Sequence, residues 1–369
     1  MQLFTTEAAG MPPLPSPLLA LRCAGMVTPI GNSASQTVAS WIAQTRRMRR
    51  VQLDGFADPF TIADCHGVDN GQSGVERLAL LLASAVAEAF DGAYHLAAHA
   101  AAHPSAECLE ILVLPSWLAE EDCKRIGVLL STWLAPYPTW TGQTRARLVV
   151  PAASCGAWTA LEYAYRALAH NPRLQHVMIA AVDSACEPAI LRQAAQADWL
   201  FRPGNAQGYV PGEAAACVLL QRAGNINLVP ADTFAVHRPA LVHASARLWP
   251  ADERPDAAPL SQALSGALRL AGMQAIHISD LESDMDGSDW RSTIEGDALD
   301  RVLFSETTTL PQWRPATLLG QVGAAGGLIG WLLPALLHGQ KIERVNTVLN
   351  WSIEPGGEIA ACVLERSPN

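Results

Sequence analysis

The sequence is poor in charge and lacks the patterns that mark several classes of protein. Only 16% of its 369 residues are charged, whereas 50% are hydrophobic. No stretch reaches the roughly 20 apolar residues of a membrane span, and residues 1–21 show no basic start followed by an apolar run. We therefore expect a cytoplasmic protein with no membrane association. Because so much of the chain is apolar, it should bury a large surface within itself or against a partner.

Cysteine spacing and net charge exclude two further classes. The eight cysteines include no Cys-x-x-Cys pair, so neither a zinc site nor a redox dithiol is predicted, and reduced thiols are expected. The formal net charge of −10 argues against nucleic-acid binding, which depends on clustered Lys and Arg. One short basic cluster is interpreted as the solvated end of a helix, and it comprises Arg46, Arg47, Arg49 and Arg50.

Three histidines spaced four residues apart raise the question of a metal site. His95, His99 and His103 would form a stripe along one face of a helix, which is a spacing that metal sites use. The surrounding stretch is rich in alanine, and we interpret it as a surface helix. No metal and no cofactor are therefore predicted.

Hydrophobic periodicity predicts alternating strands and helices. Apolar residues recur at helical spacing over residues 75–90, and a buried strand is expected over 109–114. A strand at 148–150, a turn of small residues, a helix and a strand at 177–182 make a βαβ unit, which implies a parallel sheet covered on both faces. The later predicted elements are a helix through 260–268, a strand over 275–279, a glycine-rich turn at 320–326 and paired strands over 347–352 and 359–364.

A polar segment at residues 221–227 separates two halves that follow the same pattern of elements. We predict two domains, 1–224 and 225–369. In the first, a proline-rich arm precedes a strand at 19–23 and a tight loop at 25–32, where glycine and proline favour a turn.

Four motifs that lie in register along the chain carry a family resemblance. They are Gly-Met-Val-Thr-Pro-Ile-Gly-Asn at 25–32, Ser-Cys-Gly at 154–156 followed by Ala-Ala-Val-Asp-Ser at 180–184, Gly-Tyr-Val-Pro-Gly-Glu-Ala-Ala at 208–215, and Gly-Ala-Ala-Gly at 323–326. Together they resemble the β-ketoacyl synthases of the thiolase superfamily, in that family's order. The resemblance implies an α/β thiolase fold, with two βαβαβαββ halves in a five-layer α-β-α-β-α sandwich. It also implies a homodimer built on the strand after the nucleophile turn, which is the Ser-Cys-Gly turn at 154–156.

The resemblance places the family's nucleophile at Cys155. A helix beginning there would lower the pKa of the thiol and raise its thiolate fraction. The alternative is a small buried side chain retained by descent. Both interpretations of Cys155 stay open at the level of sequence.

The remaining parts of the family's condensing machinery have no counterpart in this sequence. Counting eleven residues back from Glu295, the first family histidine is replaced by Asp284, in a loop expected to be acidic and solvated. The second is replaced by Gly320 or Gln321, neither of which is a base. The oxyanion donor of the family's last glycine-rich loop falls on Pro355, which has no N–H.

One other histidine was considered as a replacement base. His277 lies on the predicted strand at 275–279, seven residues before Asp284. It would reach the site only if the intervening loop were rearranged.

These losses favour a non-condensing pseudoenzyme that acts as a protein-binding scaffold or adaptor. Degenerate thiolase-like proteins accompany effector delivery in bacterial type VI secretion, and a second ketosynthase-like subunit, as in chain length factors, is another implied role. The alternatives are a residual acyltransferase that uses Cys155 with coenzyme A or acyl carrier thioesters, and a working 3-oxoacyl synthase with an unusual site.

Overall fold

The computed structural model describes residues 18–68, 71–97, 107–137, 144–230, 233–250, 254–303, 310–339 and 345–368. Within these residues, none of the helices combines the length and apolarity needed to traverse a lipid bilayer. The described residues begin at Leu18, the first residue of the first strand. Most of the predicted N-terminal arm therefore lies outside them.

The described residues alternate between strands and helices, as the hydrophobic pattern predicts. The strands are β1 (Leu18–Val27), β2 (Arg49–Val51), β3 (Phe60–Ile62), β4 (Glu107–Pro115), β5 (Thr144–Ala152), β6 (Leu174–Ser184), β7 (Glu213–Ala223), β8 (Phe234–Val236), β9 (Ala240–His243), β10 (Asp280–Ser283), β11 (Gln312–Trp313), β12 (Thr347–Ile353) and β13 (Glu358–Arg366). The helices are α1 (Ala34–Ile42), α2 (Gly74–Ala97), α3 (Glu120–Leu134), α4 (Gly156–His170), α5 (Pro188–Gln196), α6 (Ala258–Ala271), α7 (Asp289–Val302), α8 (Ala316–Leu319) and α9 (Gly326–Gly339). Short 3-10 turns lie at Ile226–Leu228, Ala275–His277 and Gly323–Ala325.

The two halves of the chain repeat one strand order. The first half runs β5-β4-β6-β7-β1 and the second runs β11-β10-β12-β13-β8, with β9 also paired to β13. In each half the first three strands of that order are parallel, and the last two pairings are antiparallel. Because β8 pairs with both β1 and β13, it joins the two sheets. The repeated order confirms the predicted α/β architecture of two similar halves.

Three hydrophobic clusters separate five layers. The largest lies between the two sheets and contains the buried faces of α4 and α9. The second packs α2 and α3 against the outer face of the first sheet, and the third packs α6 and α7 against the outer face of the second sheet. The order helix, sheet, helix, sheet, helix is therefore that of the expected sandwich.

The two central helices meet through tryptophan. Trp158 of α4 and Trp331 of α9 are fully buried, and their rings pack edge to face with centroids 5.1 Å apart. At the start of α4, a Cβ on Gly156 would lie 2.4 Å from a methyl carbon of Val113 in β4. A glycine at that position therefore lets the nucleophile turn sit directly against the sheet.

The strand β1 is longer than the sequence predicts. It continues through residues 25–27, and the tight turn is confined to Thr28 and Gly31, which exchange backbone hydrogen bonds. A Cβ on Gly25 would lie 2.1 Å from the carbonyl oxygen of Ala85 in α2. Glycine at residue 25 is thus required by close helix packing and not by a turn.

The strand after the nucleophile turn cannot form the expected dimer contact. That strand, β6, pairs with β4 on one side and β7 on the other, so both of its edges are occupied. The strand before the turn, β5, has a neighbour on one side only and lies at the end of the sheet order. Among the described strands that the first half contributes to the large sheet, β5 is therefore the one with a free edge.

Two local predictions differ from the structure, and a third falls outside the described residues. Residues 275–277 form a 3-10 turn, and the strand begins at Asp280. The basic cluster is not a helix end, because α1 ends at Ile42 and Arg49 begins β2, where it is paired with Asp64 at 2.6 Å. His95 falls within α2, but its side chain lies outside the described part of the chain, as do residues 99 and 103 of the predicted surface helix.

Candidate functional site

The candidate site forms where the nucleophile turn meets the ends of strands from the second half. Cys155 is the residue immediately before α4. Asp284 directly follows β10, and the connection between β12 and β13 brings Glu354 and Pro355 to the same place. In a parallel arrangement, neighbouring strands end at one edge of the sheet, which is why these distant segments converge.

Cys155 is enclosed, and its backbone amide is already bonded. Its N–H donates to Oε1 of Glu354 at 2.7 Å. The sulfur lies 3.6 Å from the carbonyl oxygen of Ser352 and 3.5 Å from that of Glu358. The residue is only 6% exposed. The thiol therefore faces backbone acceptors and a carboxylate, and its amide is not free to hold another oxygen.

Of the two interpretations of Cys155, the environment of the thiol favours a buried side chain over an activated nucleophile. Burial raises the pKa of Cys155 well above its ordinary value, and the carboxylates of Glu354, Asp284 and Glu358 raise it further. Arg291 acts in the opposite direction but does not compensate. The helix N-terminus is thus outweighed by desolvation and by three acidic neighbours. Because the thiolate is the nucleophile, this environment lowers the reactivity of the cysteine.

Glu354 is itself unusual. Burial, followed by repulsion from Glu358 and Asp284, raises its pKa to about 7, although the N–H of Cys155 and the charge of Arg291 lower it. Near neutral pH this carboxyl therefore exchanges between its charged and neutral forms. Either form presents an oxygen to the amide of Cys155.

Asp284 does not lie in a solvated loop. Its side chain is 11% exposed, its Oδ1 lies 2.7 Å from Nη1 of Arg291, and it accepts the N–H of Ile353 at 3.2 Å. Burial raises the pKa of Asp284, although Arg291 counteracts that effect. Asp286 is also buried, and its Oδ2 lies 3.4 Å from Nε of Arg291. The buried Arg291 side chain therefore stabilises two carboxylates that burial would otherwise disfavour.

Of the two candidates for the second lost histidine position, Gln321 contributes a side chain to the network around Asp284. Its Nε2 donates to the carbonyl oxygen of Asp284 at 3.0 Å and to Oδ2 of Asp286 at 2.9 Å. The φ of Gly320 is +69°, a left-handed conformation that favours glycine at that position. Gln321 thus belongs to the network around Asp284 and supplies no base.

Pro355 borders a cavity of about 220 Å³ beside the nucleophile turn. Its carbonyl oxygen accepts the N–H groups of Leu248 and Trp249, so the proline loop is tied to the chain after β9. The residues that line the cavity are Ser154, Ala185, Trp199, Gln207, Tyr209, Arg247, Trp249, Asp286, Trp290, Arg291, Gln321, Gly323 and Pro355. This lining includes Ser154 but not the adjacent cysteine. No histidine belongs to this described lining.

His277 does not replace a lost base. It is exposed in its 3-10 turn, and its Nδ1 accepts the N–H of Gln274 at 3.0 Å. Within the described ranges, no three His, Cys, Asp or Glu side chains are grouped as metal ligands.

Sequence reasoning missed Glu354, Arg291 and the tryptophans of the cavity. Glu354 precedes Pro355 in the very loop that was aligned on its glycines, and Arg291 lies one helical turn before Glu295, the residue used for counting. Both are charged residues close in sequence to a motif position, Pro355 for Glu354 and Glu295 for Arg291. Their roles depend on contacts between segments that are far apart in sequence, such as the 199 residues between Cys155 and Glu354.

Comparisons with known proteins agree on the fold. No protein-family model and no curated protein sequence matches the chain. Among solved structures, the ishigamide ketosynthase/chain length factor superimposes with a TM-score of 0.68 at 16% identity, covering 95% of this chain and 99% of that one. A β-ketoacyl synthase from Burkholderia phymatum STM815 gives a TM-score of 0.68 at 15% identity, with coverage of 95% and 99%.

A third similar structure is a complex of two proteins. The ketosynthase of Xenorhabdus doucetiae in complex with its chain length factor gives a TM-score of 0.71 at 14% identity, covering 96% of this chain and 100% of that chain. Identities this low establish the fold and not the activity. The chain therefore has the thiolase-like fold that ketosynthases share.

Proposed function

We propose that this chain is a non-condensing, ketosynthase-like pseudoenzyme that acts as a protein-binding scaffold. The observation that carries the proposal is the hydrogen bond from the N–H of Cys155 to Glu354. In acyl transfer at a cysteine or serine, the nucleophile's own amide is well placed to stabilise the oxyanion. Here a thioester oxygen at that amide would have to displace a carboxylate.

The neighbouring groups support the same proposal. Decarboxylation of a malonyl thioester needs basic side chains beside the thiol, whereas Asp284 and Gln321 occupy those positions. Asp284 lies in an acidic cluster that would repel a malonyl carboxylate. A proline at residue 355 also removes a second amide donor, and loss of one such donor typically costs about a hundredfold to a thousandfold in rate.

We expect no covalent acyl transfer to this protein. Incubation with acyl-CoA or acyl carrier thioesters should leave its intact mass unchanged, because the thiol is buried and its amide is occupied. Release of carbon dioxide from malonyl thioesters should likewise stay at background. The Cys155→Ala variant provides the blank for both measurements.

A second candidate function is Cys155-dependent acyl transfer, which the retained cysteine at the start of α4 favours. Such a transfer needs no malonyl-activating base, but it does need the oxyanion site. A stable acyl adduct that is abolished in Cys155→Ala would establish this function and overturn the pseudoenzyme proposal.

The scaffold proposal includes a partner at the free edge of β5. A homodimer or a second ketosynthase-like subunit would continue the sheet there, and an adaptor role in type VI effector delivery would use the same protein-binding character in the cytoplasm. The ketosynthase that resembles this chain in Xenorhabdus doucetiae is described together with its chain length factor. That pairing supports a related subunit as one class of partner.

We expect light scattering after gel filtration to give about twice the mass of one 39.3 kDa chain. A lysine on an exposed strand edge blocks pairing with another strand. Ala146→Lys on β5 should therefore shift the protein to a monomer, because Ala146 is exposed and its change leaves the core intact. Ala197→Lys, at an exposed position after α5, should remain dimeric. A monomeric wild-type protein would contradict the homodimer.

A further inference from the structure

Four aromatic side chains line the cavity beside the nucleophile turn. Trp199 and Trp249 have ring centroids 5.7 Å apart, and Trp249 stacks on Trp290 at 6.2 Å with an interplanar angle of 16°. Tyr209 completes the aromatic lining. Rings of this kind bury planar apolar ligands well, through offset stacking and edge contacts.

The polar groups of the cavity fall into two classes. The acceptors are already used: Asp286 accepts from Ser288 and Gln321, and Gln207 exchanges hydrogen bonds with Asp289. Arg291, the inner cation, is paired with Asp284 and Asp286, as described above. The charge of Arg291 is thus balanced by two carboxylates, although its buried Nε and Nη1 make no hydrogen bond within the described residues.

The donors of the outer wall are different. Within the described part of the chain, no group accepts a hydrogen bond from the guanidinium of Arg247 or the hydroxyl of Tyr209. The same holds for the indole N–H groups of Trp199, Trp249 and Trp290. An arginine without a carboxylate beside three indoles and a phenol offers hydrogen-bond donors and one positive charge. Such a set suits a ligand with an anionic acceptor, and arginine binds carboxylates in a bidentate manner.

The cavity is separated from the thiol. Ser154 and Pro355 line it, whereas Cys155 does not. A molecule in this cavity would therefore meet aromatic rings and donors without reaching the sulfur. The volume of about 220 Å³ is below the roughly 300 to 1,000 Å³ of pockets for drug-sized ligands, so the ligand must be small.

We propose that this cavity binds a small aromatic carboxylate non-covalently, with Arg247 holding the carboxylate and the tryptophan and tyrosine rings enclosing the aromatic body. The inference rests on the proposed non-condensing function, since the site would retain a ligand without reacting with it. It assigns a present role to the cavity of a site that has lost its catalytic groups.

Phenylacetate is a suitable probe, and phenylacetamide is its neutral counterpart of the same shape. Calorimetric titration of the full-length protein should show binding of phenylacetate. A fluorescence titration should show quenching of the tryptophan emission. Phenylacetamide should bind at least tenfold more weakly, because it lacks the charge that Arg247 recognises. Hexanoate should also bind more weakly than phenylacetate, because it has no ring for the aromatic walls.

Arg247→Gln should weaken phenylacetate binding by about tenfold to a hundredfold. The matched control is Arg47→Gln, which removes an exposed arginine that does not line the cavity and should leave the affinity unchanged. Tyr209→Phe keeps the ring and should lower the affinity by less than Arg247→Gln does.

Several results would overturn the inference. They are an absence of phenylacetate binding at millimolar concentration, equal affinity for the acid and the amide, equal affinity for hexanoate, or equal losses in the two arginine variants. None of them bears on the acyl-adduct measurement, because phenylacetate is not a thioester and forms no bond with Cys155. Failure of the ligand inference and failure of the pseudoenzyme proposal are thus separable.

Discussion

Replacing Arg291 with methionine is expected to lower the free energy of unfolding by about 3 to 5 kcal/mol, which is the typical cost of removing one partner from a buried ion pair. The Arg291 side chain is 5% exposed and lies within 3.4 Å of both Asp284 and Asp286. Methionine keeps much of the volume but removes the charge. Two buried carboxylates would then be left without their cation, close to Glu354.

Chemical denaturation at pH 8 measures this effect, and Arg254→Met is the matched control. Arg254 pairs at 2.8 Å with Asp297, which lies in α7 as Arg291 does. The Arg254 side chain is 70% exposed. Loss of an exposed pair costs about 0 to 1 kcal/mol. The penalty for Arg291→Met should shrink at lower pH, because Asp284 has a raised pKa and becomes neutral. Equal destabilisation by both variants would contradict a stabilising role for the buried pair.

The wild-type protein is expected to become more stable as the pH falls from 8 to 5.5. Burial raises the pKa values of Glu295 and Glu354 to about 7 in the folded chain, whereas both are near 4.5 when unfolded. Between pH 4.5 and 7 the folded state binds more protons than the unfolded state. The contribution of these two groups to the stability of the fold is therefore highest below pH 4.5 and is lost as the pH rises through 7. As the pH falls from 8 to 5.5, each group raises the free energy of unfolding by about 2 kcal/mol.

The share of Glu354 is isolated by Glu354→Gln, which mimics the neutral acid at every pH. This variant should lose about 2 kcal/mol of the pH dependence and retain the part due to Glu295. Comparing it with the wild type also removes the opposing effect of His176, whose pKa is lowered by burial. The exposed Glu120→Gln serves as the control and should leave the profile unchanged. If Glu354→Gln and the wild type had parallel profiles, Glu354 would not be a buried group titrating near neutrality.

Much of the fold was predictable because its determinants are local. The helical spacing over residues 75–90 and the strand at 109–114 reappear as α2 and β4. The turn at Ser-Cys-Gly leads into α4 as the βαβ pattern indicates. Where prediction failed, a tertiary contact determined the structure. Gly25 was interpreted as a turn residue, yet it is needed because α2 packs against β1 at that point.

The candidate site was predictable in part. The family resemblance predicts Cys155, Asp284, Gly320 or Gln321, and Pro355 as the residues at the motif positions, and the structure brings Cys155, Asp284, Gln321 and Pro355 to one region. The sequence did not predict that Asp284 is buried against Arg291, because a run of acidic residues next to glycine is usually solvated. The resemblance also implied a dimer on the strand after the nucleophile turn, whose two edges are both occupied, because strand order is a property of the whole sheet.

The sequence by itself determined the layered α/β fold, the retained cysteine and the absence of histidines at the matching motifs. Each of these depends only on short sequence segments and on their order along the chain. Only the tertiary structure decided the state of the thiol. Cys155 and Glu354 are 199 residues apart, and they meet because the two sheets place their strand ends around one point. Burial there sets the pKa values of both groups, and burial depends on every segment that packs around them.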